Sequence, residues 1–156
     1  MADRSNHAEL PVSLIWIDCE EAVLARWNGS LTLDRLRSDV PPHHKSTGNV
    51  RIDPQTRHGG GGPVEDRLER WRQEHLREFL VLVARRIPAT DEVTILGPGV
   101  VREHLERLLL ADDRRHHRTR TVDTRPSGRL SERQLVARLR EMAGTPPKRR
   151  SLSPVR

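Results

Sequence analysis

Apolar positions along the chain fall into blocks whose period switches between two and about 3.6, and each block marks an element. Leu14 to Asp18, LIWID, is short, apolar and β-branched, and reads as a largely buried strand. A second strand, Ala22 to Trp27, follows at once. Behind it, Asn28-Gly29 is a strong hairpin signal, because a type I′ turn needs positive φ at both central positions. Ser30 to Arg37 returns as a third strand, and its apolar residues Leu31, Leu33 and Leu36 slip out of strict alternation, which predicts a bulge. The chain thus opens as an antiparallel meander.

Pro41-Pro42 ends the meander, and up to Gly62 only Val50 and Ile52 are apolar, so 41–62 reads as a long loop with a function or without order. Val64 to Ile87 then places Leu68, Trp71, Phe79, Val83 and Ile87 on one helical face. Pro63 stands at the first helical position, where its missing N–H costs nothing. Glu92 to Leu96 is a short strand, Gly97-Pro98-Gly99 a turn, and Val101, Leu105, Leu108 and Leu109 form the apolar face of a second helix. His116 to Thr124 reads as a half-exposed edge strand. Ser131-Glu132-Arg133-Gln134 is a capping box flanked by a Leu130/Leu135 staple, and it starts a third helix that Gly144 and Pro146 end.

The order βββαβαβα predicts an α/β fold, a mixed five-stranded sheet with about three helices packed on it, over residues 12–144. Segment 1–11 and the basic tail 145–156 read as disordered. Apolar runs such as Val12 to Ile17 are far short of a membrane span, and Met1 to Glu9 lacks a signal-peptide layout. A soluble, cytoplasmic protein without membrane contact is expected, of open oligomeric state. Cys19 is the single cysteine, which excludes an internal disulfide and reads as a small residue at the core edge.

Charge sharpens the picture. The net charge is +6, and of 28 basic residues only Lys45 and Lys148 are lysines, which leaves 26 arginines. A guanidinium fork matches phosphate oxygens, so this bias suits RNA, although a compositional bias of the gene would produce it too. Three tryptophans, one phenylalanine and no tyrosine make a base-stacking platform improbable, so contacts would go to the backbone.

Candidate chemistry is sparse. The run Gly59-Gly60-Gly61-Gly62 is followed by Pro63-Val64 without the lysine of a nucleotide-binding loop, and Glu65 and Asp66 would repel a phosphate at the helix start. The turn Gly97-Pro98-Gly99 is better placed for an anion, with Arg102 beside it, or is a plain tight turn. Asp18 stands where a two-metal nuclease would hold its first carboxylate, with Glu20, Glu21 and Asp123 as further candidates, or it stabilises a turn. The histidines lack zinc-ligand spacing. No cofactor, metal or catalytic residue is expected.

Taken together, WIDCEEAVLARW (16–27), VPPHHKSTG (40–48), HGGGGPVEDRLERWRQEHLREFLVLVARRI (58–87), VTILGPGVVREHL (93–105) and TVDTRPSGRLSERQLV (121–136) resemble the central domain of the eukaryotic and archaeal peptide-chain release factor and of Pelota, with bacterial release-factor-like proteins closer still. That resemblance implies a ribonuclease H-like fold and a loop reaching toward transfer RNA in the ribosome. The family's Gly-Gly-Gln would fall on Gly59-Gly60-Gly61, so glycine replaces the glutamine that positions water; Gln55 lies outside the motif. A non-enzymatic protein follows, with ribosome, tRNA or rRNA as partner and a role in rescue, stress or dormancy. The expected RNA-contacting residues are His43, His44, Lys45, Arg51, Arg57, His58, Gly59, Gly60, Gly61 and Gly62, assisted by Arg114, Arg115, Arg118 and Arg120. A metal-dependent nuclease using Asp18, or an interaction module using the exposed face of the long helix, are the alternatives.

Overall fold

The computed structural model describes residues 11–40 and 63–144; the expectations for both chain ends and for the loop 41–62 lie outside these residues. The elements run β1 (Val12–Ile17), β2 (Glu21–Trp27), β3 (Leu31–Arg37), α1 (Pro63–Arg86), β4 (Glu92–Gly97), α2 (Val101–Arg115), β5 (Val122–Pro126) and α3 (Glu132–Met142). They form the α/β fold that the pattern predicts. The sheet order is β3-β2-β1-β4-β5, with β1 antiparallel to β2, β2 antiparallel to β3, and β4 parallel to both β1 and β5. Asn28-Gly29 turns the first hairpin, with Gly29 at φ 99°. The parallel neighbours β4 and β5 cannot be joined by a tight turn and use α2 as the crossover.

Period-two alternation sorts the core onto the two faces of the sheet. Ile15, Ile17, Val93 and Ile95 meet Phe79, Val83, Leu105 and Leu109 from α1 and α2. On the other face Leu14, Trp16, Val23, Ala25 and Leu96 meet Leu135 and Leu139 from α3. Every position of β1 is buried, since the strand is central and covered on both sides. Each buried Val, Leu or Ile side chain contributes roughly 1.5–3 kcal/mol of transfer free energy.

Two polar clusters tie the elements together. Asp91, fully buried, accepts hydrogen bonds from Ser13 Oγ (2.7 Å), Arg26 Nε (2.6 Å) and Arg26 Nη2 (3.0 Å), which locks β1, β2 and the start of β4. That hydrogen bond also raises the pKa of Arg26. At the opposite end of β2, buried Glu21 pairs with Arg35 and Arg129, while Arg129 lies 5.6 Å above the Trp16 ring and Trp16 Nε1 donates to Gly128 O. The loop into α3 is thereby fastened to the sheet. Gly97 is required by a close approach: a Cβ there would sit 2.0 Å from the Ile17 carbonyl oxygen.

Three expectations are corrected. The β2–β3 register is regular from Glu21↔Arg37 to Trp27↔Leu31, without a bulge. Leu36 simply belongs to the α1/α2 face, whereas Leu31 packs on the α3 side. The last strand is Val122–Pro126 rather than 116–124, because α2 continues to Arg115, His116 caps it and His117 turns the chain at φ 53°. Cys19 is exposed in the β1–β2 turn and is not a core-edge residue.

Candidate nucleic-acid interface

Among the residues expected to contact RNA, those from His43 to Gly62 lie outside the described residues. Directly after them, α1 opens with Glu65 and Asp66 in its first turn, where carboxylates complement the positive end of the helix dipole. Arg114 and Arg115 stand exposed in the last turn of α2, with no ion pair among the described residues. Arg118 donates to Asp112 (3.0 Å) and is 3.6 Å from Asp113. Arg120, with only 6% of its side chain exposed, bonds Asp113 at 2.8 Å and the Pro88 carbonyl at 2.9 Å. This corrects the assignment of Arg120: its guanidinium fastens the segment after α2 to that helix and is not free at the surface.

A groove of about 640 Å³ between the C-terminal halves of α1 and α2 gathers more arginines than the sequence reading assigned. Arg77 and Arg85 contribute from α1, Arg107 and Arg115 from α2, and Arg118 and Arg120 close it from the following segment. The floor is apolar and partly small, with Val81, Ala84, Leu108 and Ala111. Long arginine stems can lie along such a floor while the charged heads stay in water. Arg77, Arg85 and Arg115 have no ion pair among the described residues, and Arg107 reaches Glu103 only at 4.0 Å. Among the described residues the single carboxylate lining the groove, Asp112, is occupied by Arg118 and His116. Arg85 and Arg115 also complement helix C-termini, but Arg77 and Arg107 lie two turns earlier, beyond the reach of that effect. Arg77 and Arg107 escaped the sequence reading because glutamates flank them, and Arg85 because it stands in the last turn of α1, where a basic residue is ordinary. Their spacing of eight residues is the signal that could have found them.

Asp18 is engaged locally: its Oδ1 accepts from the backbone N–H of Glu20 and of Glu21, both at 2.8 Å, and its own N–H donates to Glu21 O. Of its candidate companions, Glu21 is ion-paired within the fold and Asp123 bonds Arg125 at 2.8 Å. No group of three or more His, Cys, Asp or Glu side chains suited to a metal ion occurs among the described residues. Cys19 next to Asp18 has its thiol pKa raised, first by desolvation and then by that carboxylate. At the Gly97-Pro98-Gly99 turn, Arg102 bonds the neighbouring Glu103 at 3.0 Å, so the cation considered for an anion there is already partnered.

No protein-family model matches the chain, and no curated protein matches it. Solved structures do. An archaeal translation termination factor, aRF1, superposes with a TM-score of 0.50 at 12% identity, over 85% of this chain and 34% of that one. The Pelota protein of Thermoplasma acidophilum gives 0.46 at 11% identity, over 88% of this chain and 34% of that one. The chain therefore spans about a third of the length of each protein. At this identity the likeness defines the fold: the five-stranded α/β arrangement is shared with a segment of a translation termination factor. No described helix is long and apolar enough to cross a membrane.

Proposed function

We propose that the protein is a ribosome-associated, RNA-binding protein of release-factor central-domain type that acts in the cytoplasm during rescue, stress or dormancy. The observation that carries this reading is the fold it shares with a translation termination factor over 85% of its length. The arginine excess supports it, since a surface rich in guanidinium groups suits RNA phosphate. His43, His44, Lys45, Arg51, Arg57, His58 and the Gly59 to Gly62 backbone supply contacts toward RNA, and Arg114, Arg115 and Arg118 assist. Glycine at 61, where the release-factor motif has glutamine, leaves no amide to orient water, so the protein binds without hydrolysing peptidyl-tRNA.

Purified protein should pellet with ribosomes at low salt and be released steeply as salt rises, as counterion release requires. Absence from the low-salt pellet, or retention indifferent to salt, contradicts the proposal. In a peptidyl-tRNA hydrolysis assay the native chain should be inert, and Gly61→Gln tests whether only that side chain is missing.

A second reading, an interaction module, is favoured by one observation. Val64, Leu68 and Trp71 form a stripe on α1 that is 67%, 51% and 47% exposed. Salt-insensitive dimerisation in sedimentation velocity, abolished by Leu68→Glu, would support that reading over the first.

A further inference from the structure

The groove between α1 and α2 has a charge pattern that helix ends explain only in part: Arg85 and Arg115 stand in last turns, whereas Arg77 and Arg107 do not. Buried or tightly paired arginines serve the fold, as Arg120 does on Asp113. By contrast Arg77, Arg85 and Arg115 are exposed, line one groove and have no ion pair among the described residues. Like charges brought together without counter-charges raise the energy of the folded chain, and a bound polyanion removes that cost. Their placement is regular. Arg77 and Arg85 bracket Val81 on α1, and Arg107 and Arg115 bracket Ala111 on α2. Eight residues of helix separate the members of each pair by about 12 Å, at roughly 1.5 Å per residue.

We infer that this groove is a binding site for the phosphodiester backbone of an RNA stem, an inference that rests on the proposed RNA-binding function and assigns it a surface. A duplex strand presents its phosphates at regular spacing, so ~12 Å of groove faces more than one successive phosphate of the same strand. The small floor residues Ala84 and Ala111 let a backbone settle between the helices, and the absence of an aromatic side chain among the described lining residues fits contact with backbone rather than stacked bases. The site therefore recognises charge spacing and not sequence.

The test is fluorescence anisotropy with a labelled RNA hairpin at several salt concentrations, using the full chain. The groove triple Arg77→Gln/Arg85→Gln/Arg115→Gln is compared with Arg37→Gln/Arg133→Gln/Arg138→Gln. The control triple removes the same three charges from exposed positions on β3 and α3, outside the groove. Thermal melts by circular dichroism confirm that both variants fold. The groove triple should lose at least tenfold in affinity at ~100 mM salt. Its slope of log K against log salt should become shallower by about two, at roughly 0.7–0.9 per lost phosphate contact. The control should lose less than threefold. Equal losses in both triples, or none in the groove triple while the native chain binds, overturn the groove and leave the RNA-binding reading standing. A native chain that ignores the hairpin even at low salt overturns that reading as well. Binding of a free nucleoside triphosphate in preference to the hairpin also overturns the inference, since a small ligand would then be the occupant.

Discussion

Replacing Asp91 with alanine should be among the most damaging single changes in the fold. The carboxylate is fully buried and accepts from Ser13 and twice from Arg26, so its loss strands a buried hydroxyl and a partly buried guanidinium. Breaking a buried ion pair by removing one partner costs roughly 3–5 kcal/mol. Arg26 keeps 28% of its side chain in solvent and can rehydrate in part, which places the expectation near the lower limit, about 3 kcal/mol. Asp91→Asn should cost less, about 2 kcal/mol, because the amide oxygen still accepts one of these bonds. Urea unfolding followed by tryptophan fluorescence measures this directly. With m near ~1.5 kcal/mol/M for a domain this small, Asp91→Ala should lower the midpoint by about 2 M. The apolar pair Arg26→Met/Asp91→Leu should recover part of the loss, since no uncompensated charge then stays behind. If Asp91→Ala shifts the midpoint by less than ~0.5 M, the cluster does not clamp β1, β2 and β4.

Gly97→Ala should destabilise by about 3 kcal/mol or more, because its Cβ would collide with the Ile17 carbonyl in the centre of the sheet; unchanged thermal unfolding would refute that contact. Ser131→Ala removes the hydroxyl that accepts from the Gln134 backbone N–H at 3.2 Å and should cost about 1 kcal/mol in the same assay. For Cys19, a raised pKa means less thiolate at a given pH. Iodoacetamide should therefore alkylate it more slowly than it does free cysteine at neutral pH, with the gap narrowing as pH rises; equal rates would contradict the raised value.

Much of the architecture was legible because it rests on local signals. The apolar run Leu14 to Ile17 of β1 marks a strand covered on both faces, Asn28-Gly29 turns the hairpin, and Ser131 and Gln134 form the reciprocal cap. Misreadings arose where a partner outside the local pattern decides. The segment after α2 alternates like a strand, but Arg118 and Arg120 turn back to Asp112 and Asp113, and only the end of the helix brings those groups together. Leu36 breaks the alternation of β3 without a bulge, because the sheet has a core cluster on each face and Leu36 packs on one while Leu31 packs on the other. The groove arginines were hidden for a similar reason. Their common face exists only once α1 and α2 lie side by side on the sheet.

The central claim, association with the ribosome through RNA, is tested most directly by sucrose-gradient sedimentation of lysates from growing and starved cells at two salt concentrations. At low salt the protein should co-migrate with ribosomal particles, more so after starvation, and a severalfold rise in salt should return it to the top of the gradient. Its presence at the top of the gradient under every condition would contradict the account.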